Sequence, residues 1–116
     1  MSQVTRVGEP AEGDSVVLAV DGEIDLATAP QLRVDLLRHA RNGLTTLVLD
    51  LTPLEFIDSS GVRVLFELSA LLREHGQTLS LVLPEGSQAW RALQLSGVER
   101  MAAVFQSLDD ATAVES

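Results

Sequence analysis

The chain is 116 residues long, 46% hydrophobic and 22% charged, which is one ordinary globular domain with enough apolar side chains for a core of its own. It contains no cysteine, which excludes a disulfide scaffold, a thiolate metal centre and a cysteine nucleophile, and its two histidines, His39 and His75, are too few for a histidine-rich metal site. Seventeen acidic residues face eight basic ones, all arginine; the net charge of −9 argues against nucleic acid or an anionic membrane as a direct partner.

Taken in chain order, Met1 to Asp14 is loosely patterned, with Val4 and Val7 forming a short edge strand that Gly8-Glu9-Pro10 breaks. Val16 to Val20 is a continuous apolar run rich in β-branched residues, as in a buried strand. Asp21-Gly22 is expected to turn the chain into a second short strand, Glu23-Ile24-Asp25, making an N-terminal hairpin. Thr28-Ala29-Pro30 opens a helix that runs to Arg41 on Leu32, Leu36, Leu37 and Ala40 and closes at Asn42-Gly43. Thr45 to Leu51 is a strand suited to the centre of a sheet, and a junction from Leu54 to Gly61 leads into the most apolar helix, Ser59 to His75, ended by Gly76. Thr78 to Leu83 is a strand stopped by Pro84. Ser87 starts a helix with Trp90, Leu93 and Leu95 inward and Gly97 at its end. Ala102 to Phe105 is a brief last strand, and Leu108 to Val114 a terminal helix.

Strand and helix alternate after the opening hairpin. That pattern predicts a single α/β domain with a mixed, mainly parallel sheet of about four to five strands, right-handed crossovers and about four helices. Residues 1–13 read as an N-terminal extension or edge strand, and 14–116 as the domain proper. No apolar stretch approaches the roughly 20 residues that a membrane-spanning helix needs. The polar, acidic segment after Met1 is unlike a signal peptide, so a cytoplasmic location is expected.

In open α/β sheets, functional groups gather where strands end and the next helices begin. The junction Leu54-Glu55-Phe56-Ile57-Asp58-Ser59-Ser60-Gly61 is such a place. Asp58 is placed as a helix N-cap, with Ser59 and Ser60 in the first turn among unpaired backbone N–H groups. A phosphate there would gain about 0.3–1 kcal/mol from the helix dipole and add about −1.5 to −2 charges to an acidic surface. By chemistry alone either serine can accept it, and Asp-Ser-Ser is also ordinary capping sequence. Ile57 stands where a nucleophile elbow needs glycine, and both histidines fall near helix C-termini, which sets a serine hydrolase aside. Neither Gly-x-x-x-x-Gly-Lys-[Ser/Thr] nor Gly-x-Gly-x-x-Gly occurs, so no nucleotide cofactor is expected.

The order and spacing of Gly22-Glu23-Ile24-Asp25, the strand Leu47-Val48-Leu49-Asp50-Leu51, the junction Phe56-Ile57-Asp58-Ser59-Ser60-Gly61 and the later Leu93-Gln94-Leu95-Ser96-Gly97-Val98 resemble the STAS family, and within it the stand-alone anti-sigma factor antagonists of bacteria. The resemblance runs from about residue 14 to residue 114, and Asp-Ser-Ser-Gly is its most specific element. It implies a binding protein rather than an enzyme. The partner would be an anti-sigma factor that is an ATP-dependent serine kinase, bound by the unphosphorylated form so that a sigma factor goes free. Phosphorylation would release it, and a PP2C-type phosphatase would reset the switch. The position matching the phosphoacceptor is Ser59, with Ser60 the alternative. Asp58 matches the aspartate before the acceptor and Asp25 a residue near the phosphorylation surface; with Ser60, Gly61 and Arg63 they make up the expected partner-binding set. Arg63 stands where relatives also carry small residues, one turn beyond Ser59, as a partner for a phosphate or a carboxylate or simply as a solvated arginine. The family also includes subunits of signalling assemblies, of lipid-transport ABC complexes and of anion transporters.

Overall fold

A computed structural model describes residues 2–8, 15–39 and 45–113. Its elements run β1 (Ser2–Gly8), β2 (Ser15–Ile24), α1 (Ala29–His39), β3 (Thr46–Asp50), β4 (Leu54–Ile57), α2 (Ser59–Glu74), β5 (Thr78–Val82), α3 (Trp90–Leu95), a 3-10 turn at Val98–Arg100, β6 (Ala103–Phe105) and α4 (Leu108–Ala113). One sheet holds the strands in the order β1-β2-β3-β5-β6, with β4 paired to the far end of β2. β1 is antiparallel to β2, and every other pairing is parallel. The α/β alternation and the mainly parallel sheet are as the sequence predicts.

Alternation along the strands builds two layers. Leu47 and Leu49 of β3, Leu79 and Leu81 of β5, and Val16, Leu18 and Val20 of β2 face one core, filled from above by Leu32 and Leu36 of α1, by Leu65, Leu68 and Leu72 of α2, and by Leu93 of α3. Val17, Val48 and Val82 face the other way and are covered by Ala111 of α4. This is why Val16 to Val20 reads as an unbroken apolar run: a strand covered on both faces has no polar side. Helix α2 ends in a Schellman closure, with Gly76 at φ +72°, its N–H on Arg73 O at 3.1 Å and the Gln77 N–H on Leu72 O at 2.8 Å.

Three expectations are corrected. Asp21-Gly22 does not reverse the chain; β2 continues through it to Ile24, and the N-terminal hairpin is the β1–β2 pair. Both flanks of β2 are already occupied, by β1 on one side and by β3 then β4 on the other, so Glu23 and Ile24 have no room to fold back. Gly22, at φ +82°, marks an irregularity in that pairing, where the register steps from Gly22↔Leu54 to Glu23↔Phe56. Second, Leu54–Ile57 is a strand, β4, rather than plain junction, which brings the described strands to six. Third, α3 begins at Trp90 rather than Ser87, after two successive turns, and Leu95 is 79% exposed instead of inward. Residues two apart on a helix point to opposite sides, so with Leu93 buried Leu95 must face out. The expected stops at Pro10 and Asn42-Gly43 lie outside the described residues.

Candidate functional site

The parallel strands β2 and β4 end side by side, and the N–H of Asp58 donates to Ile24 O at 3.1 Å across that end. The bond sets the two junctions that follow, Asp25 to Thr28 and Asp58 to Gly61, next to each other at the carboxyl edge of the sheet. Asp58 has extended backbone (φ −104°, ψ −172°) and is the N-cap of α2: its Oδ1 accepts from Ser60 N at 2.8 Å and from Gly61 N at 3.3 Å, and its carbonyl accepts from Val62 N at 3.0 Å. The carboxylate is therefore spent on the helix start. Ser59, the first residue of α2, is exposed, whereas Ser60 is half-buried.

Asp25 is a cap of the same kind. Its Oδ1 accepts from Ala27 N at 3.0 Å and Thr28 N at 3.1 Å, and Thr28 Oγ1 in return accepts from Asp25 N at 2.9 Å. This reciprocal box, with Thr28 Oγ1 also donating to Glu23 O at 3.1 Å, stiffens the turn into α1. On it Leu26 is held out at 77% exposure. Asp25 is thus adjacent to the serine-bearing junction through the strand ends, with its own carboxylate turned into its turn.

Gly61 is buried, and its part is positional. A Cβ there would lie 2.6 Å from both Ile24 Cγ2 and Ile57 Cγ1, side chains from the ends of the two strands. Only a residue without a side chain lets the first turn of α2 rest directly on β2 and β4, and that contact sets the height of Ser59 above the sheet. Arg63 is exposed and shares an open groove with Ser59, Ser60 and Val64 of α2 and with Leu26, Ala29, Pro30 and Arg33 from the α1 side. Arg33 is engaged, its Nε 3.2 Å from Glu67 Oε2.

The structure therefore brings together every expected site residue: Asp25, Asp58, Ser59, Ser60, Gly61 and Arg63. Sequence reading missed Leu26 and Arg33, which line the groove, and the outward face of Phe56, 48% exposed on β4. A signal existed for Leu26, an apolar residue in a capping turn where nothing local can cover it. None existed for Phe56, whose outward face follows from the β2–β4 register. His75 closes α2 at the end opposite Ser59, about 24 Å away for 16 residues at 1.5 Å each. Among the described residues no group of three or more metal-ligating side chains comes together, and no helix is long and apolar enough to cross a membrane.

The STAS domain model matches residues 6–111. A curated relative, the anti-sigma-F factor antagonist RsfB of Mycobacterium tuberculosis, is 34% identical over 96 residues, 82% of this chain and 76% of that protein. Among solved structures, an anti-sigma factor antagonist from Mycobacterium paratuberculosis superposes with a TM-score of 0.80 at 29% identity, covering 98% of this chain and 96% of that one. The Bacillus cell-fate determinant SpoIIAA in its phosphorylated form superposes with a TM-score of 0.65 at 22% identity over the whole of both chains, a likeness of fold.

Proposed function

The chain belongs to the STAS domain family, and from that premise we propose that it is an anti-sigma factor antagonist switched by phosphorylation of Ser59. Unphosphorylated, it binds an anti-sigma factor that is also a serine kinase, and the sigma factor held by that protein goes free. The kinase transfers the γ-phosphoryl group of ATP to Ser59 Oγ; the hydroxyl proton is released, ADP leaves, and the complex comes apart. A PP2C-type phosphatase hydrolyses the phosphoserine and resets the switch. The protein acts by binding, with no catalytic group of its own, in the cytoplasm where sigma factors work.

The observation that carries this reading is the exposed Ser59 at the first position of α2, behind an aspartate already committed to the cap, in a chain 34% identical over 96 residues to an anti-sigma-F factor antagonist. Its exposure, against the half-buried Ser60, favours Ser59 as acceptor. The physics of release is simple. A surface fitted to a neutral hydroxyl, with exposed Leu26 in the same groove, has no place for a dianion, whose desolvation and repulsion push the partner away.

The test is a pair of pull-downs from lysate of the source cells with wild type and Ser59→Asp as baits, read by mass spectrometry. A small ATP-binding serine kinase held by wild type and lost by Ser59→Asp is expected. Recovery of an ABC-type ATPase by both baits overturns the antagonist reading in favour of a transport subunit.

A further inference from the structure

Ser59 and Arg63 are four residues apart on α2, so their side chains leave the same face one turn apart. Both line the groove that Leu26, in the turn before α1, and Pro30 and Arg33 of α1 border from the other side. The two arginines of that groove differ in what they already hold. Arg33 is paired with Glu67 at 3.2 Å, whereas Arg63 has no carboxylate within ion-pair distance among the described residues. The neighbouring aspartates offer an anion nothing but repulsion, since Asp58 and Asp25 face their own backbone donors. The polarity of the helix also favours the pair: an anion at position i with a cation at i+4 is the stabilising order, aligned with the helix dipole.

We propose that Arg63 is the internal clasp of phosphorylated Ser59, its guanidinium reaching back one turn along the groove to hold the phosphoryl oxygens. The planar fork of arginine suits two oxygens of one phosphate, which a lysine would meet only as a point charge. In the unphosphorylated protein the same guanidinium is open to a partner's carboxylate; phosphorylation takes it away, so one arginine changes hands with the state of the serine. This inference rests on Ser59 being the acceptor.

The test installs phosphoserine at position 59 by genetic encoding, so that it needs no kinase and stands apart from the pull-down. Phosphorus NMR then follows the second ionisation of the phosphate, ordinarily near pH 6. The charged groups around it are Asp58 beside it, Glu23 near the end of β2 and Asp25 just after that strand, Arg33 on α1, and Arg63 and Glu67 on α2. All except Arg63 are shared by the wild type and Arg63→Gln, so their difference isolates the clasp. A cation stabilises the dianion, so the wild-type midpoint is expected a few tenths of a pH unit below that of Arg63→Gln, with Arg63→Lys between. Coincident titrations of wild type and Arg63→Gln overturn the proposal, as does a rise in Arg33→Gln without one in Arg63→Gln. If the pull-down instead recovers a partner indifferent to position 59, the functional reading fails while the titration still decides the clasp.

Discussion

At the scale of single residues, the serine-bearing junction separates side chains that shape the site from those that face outward from it. Asp58 and Gly61 shape it. Asp58→Ala removes the acceptor for two amides at the start of α2 and is expected to cost about 1 kcal/mol, read by urea unfolding. Gly61→Ala forces a methyl group against Ile24 and Ile57 and is expected to cost about 1–3 kcal/mol by overpacking. Ser59 faces outward, so Ser59→Ala should unfold within about 0.5 kcal/mol of wild type while refusing phosphate and holding its partner constitutively. A Ser59→Ala protein still phosphorylated to one equivalent would move the acceptor to Ser60. Asp58, Ser59 and Gly61 were all readable from one short motif, because a helix cap is decided within four residues of chain. The reason for Gly61 was not readable: the side-chain carbons that exclude a Cβ come from Ile24, 37 residues away in sequence, and from Ile57.

At the scale of elements, α3 gives the sharpest contrast between pattern and outcome. Its two leucines look alike in sequence, yet Leu93 is fully buried and Leu95 is 79% exposed. Leu93→Ala is expected to destabilise by about 2–5 kcal/mol and Leu95→Ala by no more than about 0.5 kcal/mol, measured by thermal or denaturant unfolding. In a helix of six residues, periodicity has too few turns to choose a face. In α2, with 16 residues, the apolar stripe is long enough to do so, and the reading from Ser59 to His75 agrees with the observed Ser59–Glu74. Strand β4 shows the converse case. Four residues with Leu54 and Ile57 inward and Glu55 and Phe56 outward have no clean two-residue alternation, so only pairing with β2 reveals a strand.

For the molecule as a whole, stability is graded across the sheet. β3 and β5 are paired on both sides and β2 has β1 on one side and β3 then β4 on the other, whereas β6 is a three-residue edge strand. Amide hydrogen exchange should therefore be slowest in β2, β3 and β5 and distinctly faster in β6; equal protection across the sheet would contradict this ordering. The grading matters for the proposed switch. The serine-bearing turn is mounted on the ends of β2 and β4, so a charge added to Ser59 changes the surface while the core beneath stays packed.

The alternation of strands and helices, the caps at Asp58 and Gly76, the single-domain α/β class and the serine-bearing junction are legible in the chain alone, because each is written in the periodicity or capping chemistry of neighbouring residues. Long-range packing sets the path through Gly22, the existence of β4, the outward face of Leu95, the need for glycine at 61 and the shared groove of Ser59, Arg33 and Arg63. Each of those depends on which distant segment already occupies the adjoining space. Whether Asp21-Gly22 turns or runs on is settled by strands lying on either side of β2, and no local preference of two residues outweighs a pairing site already filled.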